Sequence, residues 1–445
     1  MNKVVIIGAG SAMFSKKFIG DLLYFNDIEI DNISLVDINT EKLEIMEKVA
    51  RKLVSQTGKS TTIEASSDRR DVLKDASYVI NTINVGGPYR YKDDLEICDK
   101  YGVHPSVGDI INPSGVMRFL RAYPDILAIC KDMETLCPDA YFFNYTNPMA
   151  PLCLALQKET TIKTFGFCHN VQSTTEQLAA YVGADLKDVS VWAAGINHMD
   201  WFLQFKVKGK DIYPQLFELA KDWDKMVALQ KVEPDYGPNY NVAVYDMVRF
   251  EIMKNFGKFP SESPFHMSEY VPYFRKNKEL IEKYKVERRW WLDFELGSDE
   301  YYETLKTYLA NNEDIPMKKS FEYAPEIIHA NLTGKPYRAN LNVMNTGLIE
   351  NLPADSCVEV PCYADAEGIH PCYVGRLPEQ LAALNNTNIS THKLMAKAAW
   401  SKSFSAIADA IKMDPLASAV CTLEQLNDLS DELCRANKDF LADFK

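Results

Sequence analysis

Three short segments of the chain carry side chains able to hold a metal ion or move protons. They are Asn144-Tyr145-Thr146-Asn147-Pro148, Phe167-Cys168-His169-Asn170 and Gly195-Ile196-Asn197-His198-Met199-Asp200. A thiolate from Cys168 and an imidazole from His198 would give a divalent cation two ligands. Its other positions would stay open for substrate oxygens, as a catalytic metal requires. The 30 positions between Cys168 and His198 do not match the compact spacing of a structural zinc site. Residue types alone leave an alternative open. A cysteine at a strand end is often a small buried group, and a single histidine is often a structural one.

A different chemistry is readable near the start. Gly8-Ala9-Gly10-Ser11 lies between an apolar run and a helical pattern. Gly8 permits a tight turn, and Gly10 lets backbone N–H groups approach a pyrophosphate at the start of the helix. Met13 stands where the usual fingerprint has its third glycine. Asp37 ends the next apolar run, where a carboxylate can accept hydrogen bonds from both ribose hydroxyls; this favours NAD over NADP. The other reading of these residues is a structural glycine turn.

The elements that must position these groups follow from the hydrophobic pattern. Residues 3–7, 33–36, 76–83, 140–144 and 164–168 read as short buried strands. Phe14, Phe18, Leu22 and Phe25 share one helical face, and 41–53 forms an amphipathic helix. The alternation predicts a Rossmann-type doubly wound parallel α/β sheet, with ligands at the carboxyl ends of its strands. After about residue 190 the pattern changes. Runs at 191–195 and 201–207 flank the His198 segment, and 208–320 reads as long helical stretches. We therefore expect an NAD-binding domain over 1–192 and an α+β substrate, metal and oligomerisation domain over 193–445, in a layout like lactate or malate dehydrogenase.

Composition sets outer limits. The chain has 445 residues and a net charge of −13, which argues against nucleic acid or an anionic membrane as general partner. No apolar run reaches transmembrane length, and the N-terminus lacks a signal-peptide core. Ten cysteines without scaffold spacing fit reduced thiols in a cytoplasmic protein.

Taken in order, the Gly8-x-Gly10-Ser11, Thr146-Asn147-Pro148, Cys168-His169-Asn170-Val171-Gln172 and Gly195-Ile196-Asn197-His198 motifs resemble glycoside hydrolase family 4. So do Asn351-Leu352-Pro353, Val358-Glu359-Val360-Pro361, His370-Pro371 and Gly375-Arg376-Leu377-Pro378. The resemblance implies hydrolysis through redox steps in place of the usual carboxylate pair. NAD⁺ takes hydride from C3 of the sugar, a tyrosinate removes the C2 proton, the aglycone is eliminated, water adds, and the hydride returns. A divalent metal, Mn²⁺ by this resemblance, polarises the sugar oxygens. Cys168 and His198 match the metal ligands and Asn147 a substrate-binding asparagine. Tyr270 matches the tyrosine base, with Tyr273 as the alternative. Where members acting on phosphorylated α-glycosides carry an acidic aspartate, this chain has His169, which can serve as the acid or bind substrate. The resemblance also implies a homodimer or homotetramer.

The Cys168–Gln172 and His266–Phe274 stretches resemble the α-galactosidase type, so the expected substrate is an unphosphorylated α-galactoside. The Gly108–Gly115 stretch is less glycine-rich than that type. Arg90 could pair with a sugar carboxylate, which would point to an α-glucuronidase or α-galacturonidase. An α-glucosidase is a further alternative within the family. Outside it stand a 2-hydroxy acid dehydrogenase, which would release NADH, and an NAD-binding sensor.

Overall fold

The computed structural model describes residues 2–222, 246–288 and 291–445, with the side chains of 291–298 left aside. The parts of the expected helical run at 223–245 and 289–290 lie outside the described residues.

One twelve-stranded sheet organises the chain. Its first six strands are β1 (Lys3–Ile7), β2 (Asn32–Val36), β3 (Thr62–Ser66), β4 (Tyr78–Asn81), β5 (Tyr141–Asn144) and β6 (Lys163–Phe167). They lie parallel in the order β3-β2-β1-β4-β5-β6, the doubly wound order expected. All five residues of β1 and of β2 are buried; β1 is a continuous apolar run after Lys3, whereas β2 carries the polar Asn32 and Ser34, whose side chains bond each other. β3 goes beyond the expected strands. It is an edge strand with only Ile63 buried, so it carries little hydrophobic signal. β4 is shorter than the expected run because Ala76 closes a turn onto Leu73. At its other end, the Thr82 hydroxyl leaves the sheet to bond the carbonyls of Ile7 and Gly8.

Local chemistry sets the helix ends. The helix Thr40–Thr57 starts on Asn39, whose side chain accepts from Lys42 N. It stops at Gly58 with φ +66°, the left-handed conformation that ends many helices. Leu43, Met46, Ala50 and Leu53 face the sheet.

The second half extends the same sheet. β10 (Tyr337–Met344) runs antiparallel to β6, and β11 (Cys357–Asp365) pairs with β10. The hairpin of β7 (Val189–Ile196) and β8 (Met199–Val207) follows, with β9 (Lys210–Asp211) at the edge and β12 (Gly368–Pro371) on β11. The carboxyl ends of β5 and β6 therefore sit beside the turn between β7 and β8.

Asn437, the C-cap of the C-terminal helix Leu423–Ala436, is tied to an ion pair of the first half that has almost no exposure. Arg121 lies 2.6 Å from Asp94, and Asn437 donates to Asp94 at 2.7 Å. Removing one member strands a buried charge. Asp94→Ala is expected to destabilise the fold by roughly 3–5 kcal/mol. The check is a lowered urea midpoint at unchanged slope.

Candidate active site

The glycine turn is built as expected. Gly8 has φ +85°, and a Cβ there would lie 2.8 Å from the backbone of Thr82. The Asp37 carboxylate accepts from Gly10 N at 2.7 Å and from Asn39 N at 2.8 Å, so it is held at the turn. Ser11 is the N-cap of the helix Ala12–Tyr24, and its hydroxyl makes no capping bond.

The three chemistry-bearing segments meet. Cys168 follows β6, and His169 is the N-cap of the helix Asn170–Tyr181. Ile196 pairs with Met199, so Asn197 and His198 are the two-residue turn of a hairpin. His198, the second of the two, takes φ +63°, the conformation that a type II turn requires at that position. Its Nε2 lies 3.2 Å from Cys168 Sγ.

A residue missed by the sequence reading completes this group. A bridge between Trp201 and Pro260 lays the segment after Phe259 beside β8, which delivers Glu262. Its carboxylate lies 3.7 Å from His198 Nε2. Cys168, His198 and Glu262 each offer a ligand atom, and these atoms lie within 4.8 Å of one another. Glu262 has φ +65°, so two of the three stand in a conformation uncommon outside glycine, a strain that functional sites often hold. The available sequence signal was one glutamate between two serines, four residues before His266.

Ser263 then caps the helix Pro264–Tyr270, which puts His266 and Tyr270 four apart on one face. The His266 ring lies between two carboxylates, Glu262 at 3.3 Å and Asp109 at 3.4 Å. Asp109 is also 3.4 Å from both Asn147 Nδ2 and Arg118. Asn147 Oδ1 and the Tyr270 hydroxyl are buried with no hydrogen-bond partner among the described residues. The Tyr270 ring centroid is 6.4 Å from that of His198. Tyr270 is 1% exposed, whereas Tyr273 is 43% exposed and stacked on Phe256.

Electrostatics follow from this arrangement. Burial holds His198 down at about 4, so its ring is a neutral ligand. Burial pushes the Cys168 thiol well up, and the charges of Glu262 and Glu359 add to the effect. Burial opposes the charge on Asp109, but His266 and Arg118 hold its carboxyl at about 2. His266 is likewise opposed by burial, yet Glu262 and Asp109 keep it protonated well above the usual range. Tyr270 is pushed up by burial and by the charges of Asp109, Glu269 and Glu262. A divalent cation at the cluster would oppose that push.

The donor set fits such a cation: one thiol, one neutral imidazole and one carboxylate, all close together. His169 stands at the side, its Nδ1 3.8 Å from Glu322 and its ring against Phe321. Arg90 donates to the Ala436 carbonyl at 3.0 Å and lies 3.6 Å from Asp93.

Fold and site together define an enzyme of the Rossmann class with its chemistry at the carboxyl ends of the parallel strands. The chain belongs to family 4 of the glycosyl hydrolases. The family model matches residues 3–184, and the model of the family's C-terminal domain matches 193–417. An α-galactosidase of Bacillus subtilis (strain 168) is 38% identical over the full length of both chains. An α-galactosidase of Rhizobium meliloti (strain 1021) is 32% identical, over 99% of this chain and 89% of its own. Among solved structures, a 6-phospho-α-glucosidase from gut microorganisms, in complex with NAD and Mn²⁺, covers all of both chains. Its TM-score is 0.82 at 18% identity.

Proposed function

We propose that the chain is an NAD- and Mn²⁺-dependent α-glycosidase acting on an unphosphorylated α-galactoside. The observation that carries this reading is the Cys168–His198–Glu262 group with the unpartnered Tyr270 hydroxyl beside it. The names of the two relatives favour galactose. So does the arginine pattern: Arg118 is matched by Asp109 and Arg90 is turned to Ala436, so neither offers an unmatched cation to a phosphate or uronate.

Each residue then has a task. Gly8, Gly10 and Ser11 hold the pyrophosphate, and Asp37 holds the adenosine ribose. Cys168, His198 and Glu262 hold the ion. When bound, NAD supplies a hydride acceptor and the metal a Lewis acid. Asn147 orients a sugar hydroxyl through its unpartnered carbonyl. Tyr270 takes the C2 proton, after which the aglycone leaves by elimination. His169, partly exposed beside the group, donates to the leaving oxygen.

No helix among the described residues is long and apolar enough to cross a membrane. All ten cysteines are free thiols. We place the enzyme in the cytoplasm on that footing, as a homodimer or homotetramer whose mass light scattering would give.

The test is a panel of nitrophenyl α-galactoside, α-glucoside and the two α-uronides, with NAD⁺, Mn²⁺ and excess thiol. The α-galactoside should turn over fastest, with NAD⁺ required and no net NADH formed. NADH appearing one for one with product would instead identify a dehydrogenase. Faster turnover of a uronide would move the assignment to that sugar.

A further inference from the structure

Glu359 lies on β11, opposite Asn342 of β10 on one side and Gly195 of β7 on the other, and is fully buried. No arginine or lysine is paired with it among the described residues. Instead, three side-chain amides gather on one of its oxygens. Asn197 Nδ2 lies at 3.0 Å from Oε2, Asn342 Nδ2 at 3.1 Å and Asn170 Nδ2 at 3.5 Å. Asn342 comes from the sheet. The other two flank the metal-site residues in sequence: Asn170 is two after Cys168, and Asn197 is one before His198.

Asn197 belongs to the turn that carries His198 and rests on Glu359. The Asn170 amide makes the second tie. It donates to Asp200 Oδ2 at 2.7 Å, two residues past His198 on the same hairpin. Cys168 and His198 come from strands that do not pair with each other: β10 and β11 lie between β6 and β7. Something must hold the two loops in register across that gap, and Glu359 sits on one of the intervening strands.

We infer that Glu359 is a positioning residue for the metal site, a buried carboxylate that fixes the Cys168 loop and the His198 turn relative to each other through Asn170 and Asn197. The physical reason is burial. Asn170, Asn197 and Asn342 are all buried, so an amide N–H left there without an acceptor is costly, and the Glu359 oxygen is the acceptor the three share. Outer partners of this kind orient a ligand.

The inference rests on the metal reading of the site, so the test separates the two. Mn²⁺ affinity is measured on the full chain by electron paramagnetic resonance of the free ion, and NAD affinity by fluorescence quenching. Wild type should bind one Mn²⁺, and Cys168→Ser should bind it far more weakly. If wild type binds none, the metal reading falls and the inference with it. Given wild-type binding, Glu359→Gln should weaken Mn²⁺ by about 10–100-fold, the usual effect of losing an outer partner, with NAD affinity unchanged. Asn197→Ala should weaken it similarly. The double variant should lose little more than either single one, because both act through one connection. Unchanged Mn²⁺ affinity in a folded Glu359→Gln protein, or losses that simply add, would overturn the inference alone.

If Glu359→Gln does not fold, Asn197→Ala decides. With Co²⁺ in place of Mn²⁺, its cysteine-to-metal charge-transfer band should shift, because the His198 turn loses its tie to Glu359. A band identical to that of wild type would overturn the proposal.

Discussion

Tyr270→Phe should slow turnover of the nitrophenyl α-galactoside by about 10²–10⁴-fold, the usual effect of losing a general base. The substitution deletes one oxygen and little volume. That oxygen has no hydrogen-bond partner among the described residues, so folding should not suffer from its removal. Mn²⁺ and NAD affinities should stay within a few-fold, since the ring is not among the Cys168, His198 and Glu262 ligand atoms. The rate loss should fall on kcat rather than KM, the pattern of an interaction used in the transition state. The same residue gives an isotopic signature. A conventional glycosidase acts at C1 and the leaving oxygen and never breaks the C2–H bond. If Tyr270 removes the C2 proton, wild-type turnover in D₂O should place deuterium at C2 of the released sugar. Product without C2 deuterium would argue against proton abstraction by an exchanging base. A fully active Tyr270→Phe that still incorporates deuterium would remove the role from Tyr270. Tyr273 would be a poor replacement, being exposed and stacked on Phe256.

The parallel half of the sheet was readable because its strands are buried on both faces. Such strands leave continuous apolar runs, as in Val4 to Ile7 of β1. The glycine turn was readable because it needs residues that few other turns need. What escaped depends on contacts distant in sequence. Glu262 reaches His198 only because the segment after Phe259 pairs with β8, and nothing in Ser261-Glu262-Ser263 announces that pairing. Asp109 and His266 meet from segments more than a hundred residues apart, and their ion pair leaves no local pattern. Glu359 sits inside a strand of otherwise apolar type, where a carboxylate reads as surface until its three amide partners are seen.

Removal of the thiol should have the largest effect of any single substitution at the site. Cys168→Ser is expected to abolish Mn²⁺-dependent turnover while NAD affinity is kept, because the pyrophosphate turn at Gly8–Ser11 is built from a different part of the sheet. The three ligand candidates are not equivalent. His198 is held down at about 4 by burial, so above that pH it is a neutral donor needing no proton loss. Glu262 is opposed by burial but held below the usual carboxylate range by His198 and His266, so it is already ionised. Cys168 alone among them carries a proton at neutral pH, and burial keeps it there. Binding of the ion must therefore displace a proton from Cys168, and a thiol loses its proton outright when it coordinates. Mn²⁺ affinity should accordingly rise with pH through the neutral range, and that rise should be much flatter in Cys168→Ser, whose alcohol does not ionise there. His198→Ala should also end turnover, by removing a ligand without removing the displaced proton. Titration with Mn²⁺ at several pH values measures both effects. Near-normal activity of either variant at limiting Mn²⁺ would show that these two residues do not hold the ion. Affinity independent of pH in wild type would show that the thiol is not a ligand.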